Sequence, residues 1–291
     1  MMNFIEALMH YGFLQKALTT SIMVGIICGI IGCFIILRGM ALMGDAISHA
    51  VLPGVALSYM LGINFFFGAV FTGVLTSLGI GFISQNSRMK NDVSIGIMFT
   101  AAFASGIIMI TLMKSSTDLY HILFGNVLAV RPSEMWSTLL IGVIVLISIY
   151  VFYKELLVSS FDSTMAAAYG LPTRVIHYFL MTLLTLVTVA SLQTVGIVLV
   201  VAMLITPAAT AYLLTNRLWV MLYLSAGIGV LSSILGLYFS YTYNIASGAA
   251  VVLAATVLFI LAFVLSPKQG LIWRAIKKIR KREILSRNGG N

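Results

Sequence analysis

The sequence predicts an all-α polytopic membrane protein, and three observations carry that prediction. Of 291 residues, 60% are hydrophobic and only 9% are charged, with a mean hydropathy of +1.08. An ordinary soluble domain is about 25% charged, so a soluble fold of this length has too few charges to cover its surface. The apolar residues also fall in long runs, and a bilayer core needs about 20 of them per helix. Nine windows qualify: 17–37, 41–62, 65–84, 94–113, 135–153, 174–192, 196–214, 218–240 and 246–265. Eight full spans with additional short helices satisfy the same pattern. Finally, the cations are placed on one side. With the C-terminus inside and nine spans counted back, Arg38, Arg88, Lys90, Lys154, Arg174 and Arg217 all fall on the cytoplasmic side, and only Lys16, Lys114 and Arg131 fall outside. The positive-inside rule then places the N-terminus out and the C-terminus in.

The elements follow in order. The first window is long enough to span and has no small-residue cleavage site after it, so it reads as a retained span. It holds Cys28 and Cys33. Five residues of helix rise about 7.5 Å, beyond the about 7 Å that a disulfide tolerates, so both read as buried thiols. The second window contains MGDAISHA and then Pro53-Gly54, a point where the helix can bend. QNSRMKNDV at 85–93 is a short polar cytoplasmic turn. KSSTDLYHILFGNVLAVRPSE at 114–134 has an apolar middle too short to span and reads as an external or re-entrant segment. Residues 155–173, within KELLVSSFDSTMAAAYGLPT, read as a cytoplasmic amphipathic helix capped at Ser160 or Asp162 and stopped by Gly170 and Pro172. His10 and His177 lie near span ends and read as interface residues. The 206–210 run TPAAT interrupts a span, and threonine hydroxyls there can compensate a carbonyl freed by Pro207. There is no strong internal repeat. Residues 1–267 thus read as one transmembrane domain. Residues 268–291 form a basic tail with eight of the 17 Lys and Arg against one of the eight acids. After a span, such a tail suits cytoplasmic retention and anionic lipid heads, not nucleic acid.

Chemistry concentrates at MGDAISHA. On a helix Asp45 and His49 share a face, about 6 Å apart along the axis. Ionisable groups within a span are costly and face a protein interior or an aqueous path. Carboxylate plus imidazole is also a ligand set for manganese, zinc or iron, and Ser48 adds a nearby hydroxyl. Spacing alone leaves a self-contained ion pair equally open. Two ligands do not close a metal site, whereas a symmetric dimer would supply two of each. Asp118 and His121, spaced i,i+3 on the external segment, read as a solvent-facing turn, with an entrance ligand or partner contact as the rival reading. The 16 methionines are scattered and suit apolar packing better than copper. The sequence contains no G-x-x-x-x-G-K-[ST] phosphate loop, no H-E-x-x-H and no G-x-S-x-G, so neither ATP binding of that class nor those hydrolytic chemistries is indicated.

The run IGCFIILRGMALMGDAISHAVLPGVALSY strongly resembles the permease subunit of ABC-type manganese/zinc/iron importers. DVSIGIMFTAAFASGI, SSTDLYHILFGNVLAV, SFDSTMAAAYGLP and VLVVAMLITPAATAYLL extend the likeness in the right order, and it is closest to manganese-transporting members from Gram-positive bacteria. The resemblance implies a type II ABC-importer permease fold in the bacterial cytoplasmic membrane, working as a homodimer. It also implies two cytoplasmic ATP-binding subunits that hydrolyse the ATP, and an extracellular metal-binding lipoprotein. By the same resemblance, Asp45 and His49 bind the ion in transit at the dimer axis. A coupling helix from Phe161 to Leu171, with Asp162, Ala166, Ala167 and Gly170, sits in a cleft of the ATPase. The expected function is therefore ATP-driven import of a divalent transition-metal ion, manganese ahead of zinc or iron, with no enzymatic step or resident cofactor in this subunit. The rival of another class is a proton-coupled secondary transporter with Asp45 and His49 as a relay.

Overall fold

The computed structural model describes residues 4–112 and 127–266, and within them the chain is helical throughout. The helices are α1 (Phe4–His10), α2 (Gly12–Leu37), α3 (Met43–Ala50), α4 (Leu52–Leu61), α5 (Phe65–Asn86), α6 (Asn91–Leu112), α7 (Pro132–Val151), α8 (Tyr153–Phe161), α9 (Ser163–Ala168), α10 (Thr173–Val195), α11 (Ile197–Leu214), α12 (Leu218–Tyr243) and α13 (Ser247–Leu265). Of these described helices, eight are long and apolar enough to cross a bilayer: α2, α5, α6, α7, α10, α11, α12 and α13. The external segment expected at 114–134 lies mostly outside the described residues; its end forms a short 3₁₀ turn at Val127–Ala129 and opens α7. Asp118, His121 and the tail 268–291 also lie outside them.

The second window, 41–62, folds as two helices, α3 and α4, that meet at Val51. Val51 keeps its bond to Ile47 and receives one from Val55. Pro53, however, has no N–H for the His49 carbonyl four residues back, and that starts a new helix with proline in its first turn. Together the two pieces complete a traverse. Leu37, Arg38, Gln85, Asn91, Ser159 and His177 border one cavity, so the ends of α2, α5 and α8 and the starts of α6 and α10 share one end of the bundle. Phe4, Leu14, Leu128 and Tyr238 border another, which puts the starts of α1 and α2 and the end of α12 at the opposite end. Since α5 finishes at the first end, α3–α4 must carry the chain away from it. Among the described residues the path therefore makes nine crossings, eight unbroken and one broken. Arg38, Arg88, Lys90, Lys154, Arg174 and Arg217 cluster at the first end, as the orientation requires.

Local chemistry sets several boundaries. Asn64 caps α5 by accepting from the Phe66 N–H at 2.9 Å. Glu134 reaches back to the Arg131 N–H at 3.1 Å, and Pro132 occupies the first turn of α7. The interior is organised around α2, where Cys28, Ile31, Cys33 and Phe34 are fully buried. Both cysteines are free, as expected. A seam of small residues lets α2 lie directly on α12. A Cβ on Gly25 would come within 2.9 Å of the Gly229 backbone, and one on Gly32 would collide with the Leu204 carbonyl of α11. Across the seam Ser225 donates to the Gly29 carbonyl at 2.8 Å and Ser233 to the Ser21 carbonyl at 2.9 Å. Small residues and interhelical hydroxyl bonds of this kind take over the role that hydrophobic burial plays in water.

Candidate metal-transit site

MGDAISHA forms α3 from end to end. Its Gly44 lies against Leu204, near the middle of α11, so the helix sits at the mid-depth of the bundle rather than at its rim. Asp45 and His49 project from the same side, with Nε2 of His49 3.6 Å from Oδ1 of Asp45. Their side chains are 44% and 29% exposed, respectively. At that depth, exposure means that the pair opens from the bundle face toward whatever covers it. Ser48 is buried and donates to the Gly44 carbonyl at 2.8 Å. The hydroxyl expected near the pair is therefore spent on the helix backbone four residues back, a common partner for serine inside a helix.

The surroundings are apolar. The imidazole lies against Phe99 and Phe103 of α6, with ring centroids 5.6 and 5.5 Å away, the second edge-on at 86°. A cleft of about 430 Å³ runs from the pair along α11, bordered by Val198, Val201, Ala202, Ile205 and Thr206. Thr206 of the TPAAT run thus borders the cleft, and α11 continues through that run unbroken. Pro207 itself is buried inside α11. The Thr210 hydroxyl donates at 2.6 Å to the Thr206 carbonyl, not to that of Met203, the carbonyl the proline deprives. Nδ1 of His49 is buried without a partner. Among the described residues no group of three or more His, Cys, Asp or Glu is gathered anywhere. The described residues therefore present one carboxylate and one imidazole here.

At the end of the bundle where α8 stops, the expected single amphipathic helix is two, broken at Asp162. Asp162 ends α8 in an extended conformation and caps α9, accepting the N–H groups of Thr164 at 2.9 Å and Met165 at 3.0 Å and the Thr164 hydroxyl. The Thr164 hydroxyl and then the Met165 N–H hold its carboxyl below the usual carboxylate range. Gly170, at φ +78°, stops α9 as expected. Phe161, Met165 and Tyr169 are exposed together, an apolar patch at the end of the bundle. Ala167 is exposed with them, Leu171 packs on the core, and Ala166 is fully buried. His177, near the start of α10 at this end of the bundle, has its Nδ1 3.4 Å from the Arg38 guanidinium. Sequence reasoning used Arg38 only as a topological charge; the one local signal for more was its place between the end of an apolar run and Gly39.

With this geometry in place, comparison with known proteins is informative. The chain is 66% identical over 278 residues to the manganese transport system membrane protein MntC of Listeria innocua, covering 96% of this chain and 99% of that one. It is 55% identical over 267 residues to the manganese import system permease protein ScaB of Streptococcus parasanguinis, covering 92% and 95%. Its fold superposes on the solved structure of PsaBC from Streptococcus pneumoniae in complex with Fab, at a TM-score of 0.82 and 53% identity over 91% of this chain and 96% of that one. The broken helix, the eight unbroken spans and the exposed turn around α9 all lie within residues 10–266, which match one family along their whole length, and the chain belongs to that family, the ABC 3 transport family.

Proposed function

We propose that this chain is the permease subunit of an ATP-driven importer of divalent transition-metal ions, with manganese as the cargo. It is a multi-pass protein of the bacterial cell membrane. The observation that carries the proposal is the Asp45–His49 pair, held on one helix face at mid-depth and bordering a cleft. A carboxylate exposed there is costly unless another chain or an aqueous path meets it. A second copy related by a twofold axis meets it with the same two groups and completes two carboxylates and two imidazoles around one ion. Imidazole nitrogen disfavours calcium and magnesium, which prefer all-oxygen shells, and admits manganese, zinc and iron. The names of the relatives favour manganese among these.

The energy source in this reading is a pair of cytoplasmic ATP-binding subunits that seat on the Phe161–Leu171 turn; its exposed Phe161, Met165 and Tyr169 offer them an apolar anchor. An extracellular metal-binding lipoprotein delivers the ion, with Asp118 and His121 as candidate contacts. The permease domain spans 1–267, and the basic tail 268–291 faces anionic lipid on the inner side. The competing secondary transporter would need no such cytoplasmic anchor. Reconstitution with the candidate ATPase and binding protein decides between them: radioactive manganese uptake that needs ATP and vanishes in Asp45→Ala/His49→Ala supports the importer. Uptake driven by a proton gradient without the ATPase would replace it with the secondary transporter, and zinc uptake instead of manganese would change the cargo.

A further inference from the structure

The end of α2 carries an arginine with an unusual set of partners. Arg38 donates from Nε to the Ser160 hydroxyl at 3.2 Å and from one Nη to the Ser159 hydroxyl at 3.0 Å, and its other Nη lies 3.4 Å from Nδ1 of His177. Arginine has only donors, so the imidazole nitrogen accepts. Ser159 and Ser160 belong to the last turn of α8, just before α9, and His177 to the first turns of α10, just after it. One guanidinium thus grips both arms of the hairpin that carries α9. The polar cavity around it has a volume of about 830 Å³, contains Arg174 as a second cation, and has no carboxylate among its bordering residues. Burial lowers Arg38 to about 10, so it remains charged at neutral pH. An arginine serving only as a membrane-end charge would extend its head to water; this one spends its donors on two other helices.

From Arg38 to the metal pair the chain has little slack. Gly39, at φ +65°, donates to the Ile36 carbonyl at 3.0 Å, and Met40 donates to the Ile35 carbonyl at 3.0 Å, a doubly bonded left-handed helix end. Met43 then donates to the Met40 carbonyl at 2.9 Å, and both methionines are buried. Gly44 sits on Leu204, and Asp45 comes next.

We propose that Arg38 is a positioning residue for transport: it latches the hairpin around α9 to the turn that launches α3, so that a displacement of α9 is delivered to Asp45 and His49. What displaces α9 rests on the importer reading; the latch itself does not. Two variants test it in the full chain in lipid nanodiscs. Arg38→Lys keeps the charge but loses the fork that spans both serines and the histidine. Ser159→Ala/Ser160→Ala leaves Arg38 intact and removes two acceptors, and it carries the test if the lysine variant fails to assemble. The first readout is hydrogen exchange over residues 39–50, far in sequence from the two serines. The latch requires exchange there to speed up about fivefold or more, the lower end of a typical coupling between sites; unchanged exchange in 39–50 overturns it. The second is metal moved per ATP hydrolysed by the assembled transporter, which falls about fivefold or more while ATP turnover persists. Loosened exchange with an unchanged ratio overturns the role in transport. A wild-type complex that hydrolyses ATP but moves no metal would sink the importer reading, while the exchange result alone still decides the latch.

Discussion

Gly44 immediately precedes Asp45, and the structure gives the size of the disturbance that a single methyl would cause there. A Cβ at Gly44 would lie 2.6 Å from Leu204 Cδ1, short of the 3.4 Å at which ordinary contact begins by about 0.8 Å. The clash is with the end of a side chain, but Leu204 is 2% exposed, so its methyl has little empty space to turn into. In Gly44→Ala the Leu204 side chain and α3 therefore share the displacement. Overpacking of this kind costs about 1–3 kcal/mol, while removing a helical glycine returns up to about 1 kcal/mol. Overall stability should fall only modestly, by about 0–2 kcal/mol on those two figures. The ligands are less forgiving, since a functional constellation must be held within about 0.5 Å. Manganese affinity should drop by about 10–100-fold, the usual cost of losing a supporting contact behind metal ligands. Calorimetric titration of manganese into the reconstituted protein, paired with a thermal melt, separates the two effects. Gly227→Ala is the control: a Cβ there meets nothing within 4 Å, so affinity should hold. Wild-type manganese affinity in a folded Gly44→Ala protein would show that the contact with Leu204 does not set the ligand geometry.

Other perturbations have distinct outcomes. Asp45→Ala and His49→Ala should each abolish manganese uptake yet leave the melting temperature nearly unchanged, because both side chains are half-exposed and neither fills the core; loss of assembly on size exclusion would instead mark the pair as structural. Ala167→Trp enlarges an exposed face of α9 and should separate ATP hydrolysis from uptake, measured as metal moved per ATP. Asp162 has a lowered pKa when folded, so its cap is complete above the usual carboxylate range and is lost as pH falls through that lowered value. Amide exchange at Thr164 and Met165 should accelerate over that acid window in the wild type and not in Asp162→Asn, whose neutral amide also caps.

Much of this architecture can be read from the chain because a bilayer imposes a simple rule on composition: long apolar stretches become helices, and cations collect at one end. The Asp45–His49 pair is visible for a related reason, since two ionisable groups at helical spacing stand out against an apolar run. What lines the site is not visible in the same way. Phe99, Phe103, Val201 and Ile205 look like any membrane-helix residue, and only the packing of α6 and α11 around α3 brings them to the imidazole. The break between α3 and α4 was foreseeable from Pro53, but its position at Val51 depends on which carbonyl the proline leaves without a donor. Ser48 was misread because a serine hydroxyl inside a helix can bond the carbonyl four residues back instead of a neighbouring side chain. His177 near a span end could have met water or lipid heads equally well, and its bond to Arg38 exists only because α2 and α10 end side by side.

The glycine seam between α2 and α12 has a mechanical consequence. Where Gly25 meets Gly229 there is no layer of side chains to rearrange, and the backbones bear on each other directly. At that crossing no side-chain rotamers stand between the two backbones to take up a sliding motion. Ser225 and Ser233 further stitch it with bonds to the opposite backbone. The two helices therefore behave as one stiff beam. A push received at the Arg38 end travels along it without being absorbed by slippage.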